Sequence, residues 1–316
     1  MELTFLGTSS GSPTADRNVA ALAVRWNGIW DLFDCGEGTQ HQLTATPLAL
    51  PRLRRIYISH LHGDHCFGLF GVLGSRSMDL TAGALTIFGP PGVREMVEVV
   101  LARSATYLDY PLDIHEVSLD GERVIDDDGA TVDAIPLVHR LDSFAWSIRE
   151  RDRDGEFDVD AAARVGVPRG PLFGDLQRGE SVTLDDGRRV DPEAVIGPPR
   201  RGRHLVVAGD NSDPERLFAQ TTGADMAVHE ATYTEATLAK IGDDHGHSTA
   251  ARVASAAERH GIQRLALTHF SARYASVPGT SAAESIADVE AEARAHFAGE
   301  LHLARDLDRL EVPLPD

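Results

Sequence analysis

The stretch "RRIYISHLHGDHCFGL", residues 54–69, decides the reading of this sequence. His60, His62, Asp64 and His65 fall within six positions, directly after the β-branched and aromatic run "RIYIS". That run reads as a buried strand. The residues after it, "CFGLFGVLGSRSM", suit a helix with Asp64 near its N-terminus. The four side chains therefore lie on the loop at a strand's carboxyl end, where α/β layers place their chemistry. Alternate residues of an extended segment point the same way, so His60 and His62 can face one metal ion. The turn at Gly63 swings Asp64 and His65 toward a neighbouring point. One cluster can thus serve two ions. The chain has 14 histidines, and His41, His115, His204, His296 and His302 are adequately read as ordinary structural or surface residues.

Outward from the cluster, strands and helices alternate. "LTFLGT", "VAALAVRW" and "IWDLFDC" read as consecutive strands, "VREMVEVVLARS" as a helix, "ATVDAIPLVHR" and "SFAWSIRER" as strands. "HLVVAGDN", "ADMAVHEATY", "STAARVASAAERHG", "RLALTHFSARY" and "SAAESIADVEAEARAHF" continue the alternation. Residues 150–202 differ: they are rich in Gly, Pro, Arg and Asp and poor in periodic apolar residues. They read as an extended excursion from the core. Three further hydrophobic runs end in a candidate ligand: His139 closes "AIPLVH", Asp210 closes "HLVVAGD", His269 closes "RLALTH". A two-metal site needs about eight ligand contacts, a bridging group and a water among them. An aspartate suits the bridge, since each of its oxygens can hold one ion.

Length and composition bound the rest. The chain has 316 residues, 42% hydrophobic and 25% charged, as an ordinary globular protein does. No apolar run approaches a membrane span, and "MELTFLGTSSG" has no leader pattern, so the expected location is cytoplasmic. The two cysteines, Cys35 and Cys66, cannot form a disulfide framework, and Cys66 reads as a small buried apolar residue. Net charge is −19, with Lys240 the one lysine. This profile resembles that of proteins from salt-loving archaea. Self-repulsion on that scale strains a compact fold at low salt and fades at about 1 M, where the Debye length is about 3 Å.

Together, "HLHGDH" and the strand-end residues His139, Asp210 and His269 resemble the metallo-β-lactamase fold. That resemblance implies a four-layer α/β/β/α sandwich over nearly the whole chain, 1–316. The segments "FLGTSSGSPTADRNVAA", "LFDCGEGTQHQL", "VPRGPLFGDLQRGESVTLDDGR", "HEATY", "HST" and "LTHFSARY" narrow it. They closely resemble ribonuclease Z, the endonuclease family that matures tRNA 3′ ends.

The resemblance implies two Zn2+ per chain: His60, His62 and His139 on one ion, Asp64, His65 and His269 on the other, Asp210 between them. It implies Asp64 as proton acceptor, with Glu230 and His247 beside the leaving group. It implies that residues 150–202 form a projecting arm whose Gly170-Pro171 grips precursor tRNA. It further implies that Arg17 and Asn18 contact substrate, that the trailer leaves with a 5′-phosphate and the tRNA with a 3′-OH, and that the protein is a homodimer. Two rival functions stand beside it: a phosphodiesterase for small substrates, for which an arm is superfluous, and a non-catalytic metal-stabilised RNA-binding module, for which Asp64, Glu230 and His247 are superfluous.

Overall fold

The computed structural model describes residues 1–26, 28–242, 245–274 and 284–315. The chain forms two compact units, Met1–Arg149 with His204–Pro313, and Glu150–Arg203 with the last residues of the chain.

The larger unit holds two seven-stranded sheets. The first contains β1 (Glu2–Gly7), β2 (Ala21–Trp26), β3 (Ile29–Phe33), β4 (Leu53–Tyr57), β5 (Leu85–Gly89) and β6 (Leu112–Glu116). The second contains β7 (Glu122–Asp126), β8 (Ala130–Pro136), β9 (Phe144–Glu150), β10 (His204–Ala208), β11 (Met226–Glu230), β12 (Arg264–Thr268) and β13 (Glu300–Leu303). The last strand, β14 (Arg309–Glu311), returns to the edge of the first sheet beside β1. In the first sheet β3 to β6 run parallel; in the second β10 to β13 do. Among them β5, β10, β11 and β12 are near-continuous apolar runs of the sequence, as expected of strands covered on both faces.

Apolar side chains from both sheets meet between them, among them Leu3, Phe5, Phe33, Tyr57, Phe144, Trp146, Val207 and Val228. A second apolar layer joins the outer face of the first sheet to helices such as Val93–Arg103, and a third joins the second sheet to helices such as Ala250–Arg259. The result is the four-layer α/β/β/α sandwich. Two strands carry little sequence signal, β6 "LDIHE" and β7 "ERVID", because charged residues alternate through half-exposed edge positions. The last helix spans Ile286–Arg294, and residues 281–283 of its expected segment lie outside the described residues.

Residues 150–202 carry local structure that their composition did not announce. They form the helices Val159–Val165 and Pro171–Gln177 and a hairpin pairing Val182–Thr183 with Arg189–Val190. Ala161, Ala162, Val167, Leu176, Val182, Leu184, Val190 and Val195 make an apolar cluster of their own. Each helix is seven residues long, too short for a 3.6-residue period to show in a sequence window. Gly170 sits at φ 150°, a conformation L side chains rarely adopt, and a Cβ there would meet nothing within 4 Å. Glycine is needed at that turn for its backbone, and packing adds no constraint.

Candidate metal centre

All seven expected ligands converge past strand ends, six of them beyond the parallel strands β4, β10 and β12 and His139 beyond the antiparallel β8. His60, His62, Asp64 and His65 follow β4, and the short helix Gly63–Cys66 turns the last two inward. His139 stands three residues past β8, Asp210 two past β10, and His269 one past β12. Gly209 lets the second sheet close in: a Cβ there would lie 2.4 Å from the Cβ of Ser59.

The donor atoms fall into two groups that share Asp210. In the first, His60 Nε2 is 2.9 Å from His62 Nδ1, and His139 Nε2 is 3.3 Å from the same atom. Asp210 Oδ2 lies 3.5 Å from His60 Nε2 and 3.9 Å from His139 Nε2. In the second, His65 Nε2 is 3.0 Å from His269 Nε2, while Asp64 Oδ2 lies 3.6 and 3.4 Å from those two nitrogens. Asp210 Oδ1 is 3.4 Å from both. Four ligands at 2.0–2.1 Å in a tetrahedron stand about 3.3–3.4 Å apart. The distances above, 2.9–3.9 Å in the first group and 3.0–3.6 Å in the second, scatter about that spacing, with one Asp210 oxygen turned to each.

Hydrogen bonds to the far side of the rings fix what these atoms are. His65 Nδ1–H donates to Asp34 Oδ2 at 2.7 Å, His139 Nδ1–H to the Gly246 carbonyl at 2.8 Å, and His269 Nδ1–H to Thr232 Oγ1 at 3.0 Å. In the neutral ring this leaves each Nε2 as a lone pair. Thus His65 and His269 present two acceptors to each other across 3.0 Å, and the buried Asp210 Oδ1 has no donor. Acceptors that converge this way need a proton or a metal ion between them. With no metal, burial lowers the His65 ring, but Asp210 and Asp34 outweigh it and raise the ring well above its usual range. The residues fit a divalent metal ion at each group.

Asp34 and Thr232 are site residues that the sequence reading did not single out. Asp34 follows β3 at φ 54° and also accepts the Ser59 N–H at 2.7 Å and the Ser59 hydroxyl at 2.8 Å. Its signal was available, since it is another carboxylate at the end of a strand. Thr232 donates its hydroxyl to Glu230 Oε2 at 2.7 Å, and nothing in its residue type announces that role. His269, at φ 57°, is a second non-glycine residue held in the left-handed region, the kind of local strain that functional sites carry.

Glu230 is the last residue of β11 and is buried, with Oε1 accepting the Ser248 N–H at 2.7 Å. His247 Nδ1 stands 3.4 Å from that oxygen and 3.6 Å from Asp210 Oδ2. Its Nε2 has no protein partner among the described residues. Burial opposes charge on His247, but Glu230 and then Asp210 outweigh it and lift the ring to about 9. A cation on Asp210 would withdraw part of that support. With no metal ion, burial pushes the Asp64 carboxyl up, yet a hydrogen bond from His269 Nε2 and charge on His65 hold it well below the ordinary range; an ion bound there would take over both roles. Burial lowers His60 and His139, keeping both rings neutral as metal ligation requires. Cys66 is fully buried behind His62, and burial raises its thiol to about 12.

The loop 8–18 borders the centre, with the Gly11 N–H donating to Asp64 Oδ2 at 2.7 Å. Arg17 is only 7% exposed. Its guanidinium donates to Thr8 Oγ1 at 2.6 Å and the Ala304 carbonyl at 2.7 Å and lies over Phe270. That geometry favours holding the loop over touching a ligand. Asn18 is half-buried beside a cavity of about 550 Å³ that His41, Gln42 and Asp306 also line. Its Nδ2 has no partner among the described residues. Gly170 and Pro171 are exposed in the smaller unit.

Comparison with known proteins adds five findings. The family described as Anti-Pycsar protein Apyc1 matches residues 1–114, which hold the first five strands, the start of the sixth and four of the seven expected ligands. Ribonuclease Z of Brevibacillus brevis is 43% identical over 316 residues, covering 99% of this chain and 97% of that protein. Ribonuclease Z of Pseudomonas putida is 43% identical over 314 residues, at 99% and 97% coverage. The crystal structure of the short form of human tRNase Z superposes with a TM-score of 0.71 at 28% identity, over 99% of this chain and 100% of that one. The metallo-β-lactamase fold protein YhfI of Bacillus subtilis, at 16% identity and a TM-score of 0.65, shares the fold.

Proposed function

This chain belongs to the ribonuclease Z family, and from that premise we propose that it removes the 3′ trailer of precursor tRNA by hydrolysing one phosphodiester bond. The observation that carries the chemistry is the pair of acceptor clusters sharing Asp210, each spaced as the ligands of one divalent ion. When bound there, two zinc ions supply a water acidic enough to attack at neutral pH and positive charge against the phosphate oxygens.

The side chains take the remaining parts. His60, His62 and His139 would hold one ion, Asp64, His65 and His269 the other, with Asp210 shared between them. Asp34, Ser59 and Thr232 keep the ring nitrogens in the ligating tautomer. Water oxygen attacks phosphorus, and its proton passes to Asp64, which is ionised. The bond from phosphorus to the 3′-oxygen breaks. His247, protonated and backed by Glu230 through Nδ1, donates its Nε2 proton to that oxygen. The tRNA keeps a 3′-OH and the trailer a 5′-phosphate.

The same reading gives residues 150–202 the task of gripping tRNA through Gly170-Pro171. It makes the protein a cytoplasmic homodimer with two zinc ions per chain, with Asn18 at the substrate and Arg17, expected there too, holding the loop that carries it. The fold of residues 150–203 around their own apolar cluster supports a substrate larger than a small phosphodiester. The net charge of −19 supports work at high salt, in the manner of halophilic archaeal proteins. Turnover of precursor tRNA against a chromogenic phosphodiester tests the reading. Cleavage of only the small compound would overturn it, and binding of tRNA without cleavage would favour the non-catalytic rival.

A further inference from the structure

Residues 150–203 contain ten arginines and twelve carboxylates, a net charge of −2. Bulk positive charge therefore cannot be what draws RNA to this unit. Its arginines are also spoken for. Arg164 pairs with Asp158 at 3.4 Å, Arg188 with Asp186 at 2.7 Å, Arg189 with Asp191 at 2.9 Å, and Arg203 with Glu150 at 2.6 Å. Arg178 and Arg200 pair with Asp175 and Glu156. Arg153 is half-buried and donates to the Pro315 carbonyl at 3.4 Å, and Arg151 and Arg201 are engaged as well.

Among the described residues one arginine of the ten has neither an ion pair nor a hydrogen bond. It is Arg169, exposed, and next in sequence to Gly170-Pro171. The turn that carries it is set by the φ of 150° at Gly170 and by Pro171 opening the following helix.

We propose that Arg169 is the phosphate contact of this unit, gripping the backbone of precursor tRNA beside the Gly170-Pro171 turn. The proposal rests on reading the unit as RNA-binding. An arginine already paired with a carboxylate carries little counterion atmosphere of its own into a complex. Engaging a phosphate would cost it an existing charge-assisted bond. A free guanidinium offers its whole fork to phosphate oxygens. The unit thus spends one cation on electrostatics and leaves the rest of recognition to shape. Such binding weakens slowly with salt, which suits a chain of this acidity.

The experiment measures precursor-tRNA affinity across a salt series, alongside hydrolysis of bis(p-nitrophenyl) phosphate. Arg169→Ala is expected to weaken binding and to flatten the plot of log K against log salt by about 0.7–0.9, the value of one phosphate contact. Arg169→Lys should keep the slope. The double variant Asp186→Asn with Arg188→Gln removes a pair at constant net charge and should leave the slope unchanged. All variants should hydrolyse the small compound at the wild-type rate. An unchanged slope in Arg169→Ala, with tRNA binding lost on replacing residues 155–197 by a Gly/Ser linker, would overturn the proposal and leave the unit as RNA-binding. Full affinity after that replacement would overturn the RNA-binding reading itself.

Discussion

Replacing Asp34 by asparagine tests the centre at the point where one group fixes another. Asparagine tolerates the left-handed backbone that Asp34 holds at φ 54°, so the change is chemical and the backbone stays. Oδ1 can still accept the Ser59 N–H. The amide NH2 then replaces Oδ2, which accepts from His65 Nδ1 at 2.7 Å and from the Ser59 hydroxyl at 2.8 Å. Two donors now face each other across the His65 contact. Relief comes when the ring moves its hydrogen to Nε2, the atom aimed at His269 and Asp210. That tautomer cannot ligate. Loss of such a support typically costs 10–100-fold in metal affinity or activity, or about 1.4–2.7 kcal/mol. The expected outcome is selective: the Asp64–His65–His269 ion weakens by about 10–100-fold while the His60–His62–His139 ion stays close to wild type. Titrating metal-free protein with zinc against a chelating dye resolves the two steps, and circular dichroism checks that the variant is folded. Two equivalents bound with unchanged affinities would refute the assignment of Asp34.

His247→Ala should keep both ions by elemental analysis yet slow single-turnover cleavage by roughly 10²–10⁴-fold, the usual cost of a lost general acid; a wild-type rate would make His247 structural. Replacing residues 155–197 by a short Gly/Ser linker should spare zinc content and small-phosphodiester hydrolysis but collapse precursor-tRNA cleavage, with recovery at high RNA concentration, all assayed at high salt. Burial raises the Asp31 carboxyl from 3.8 to about 7 against the pull of Arg55. Between those pH values the folded chain holds a proton that the unfolded chain has released, so this group's contribution to stability falls as pH rises. Asp31→Asn should therefore gain in melting temperature relative to wild type between pH 5 and pH 8, measured at constant salt; a pH-independent difference would count against it.

The convergence of the seven candidate ligands was legible because their signal is local. Four of them crowd one loop, and the other three each close an apolar run, so no long-range knowledge was needed. Asp34 obeys the same strand-end rule but shares its strand with Asp31, and which of the two turns toward the ions depends on a backbone angle that composition does not carry. Thr232 was illegible for a different reason. Its partner, His269, is 37 residues away, brought alongside by the parallel register of β11 with β12. Arg17 reads as a surface cation in "PTADRN", yet it is buried because its acceptors include the carbonyl of Ala304, 287 residues distant. The helices of residues 150–202 were hidden by their shortness.

Each ligand group draws atoms from the loops of both sheets, and the tie from His65 to His269 joins positions 204 residues apart. An unfolded chain has almost no chance of bringing such a set together, since closing a loop of that length carries a large entropy cost. A metal bound there would therefore favour the folded chain strongly and act as a reversible long-range cross-link. At free ion about 1,000-fold above the dissociation constant, that linkage adds about 4 kcal/mol per site, against a total stability of about 5–15 kcal/mol for a typical domain. Scarcity of the ion would then do more than idle the enzyme. It would raise the fraction of open chains exposed to proteases, so that cellular abundance of the protein, and not only its turnover, would follow the supply of metal.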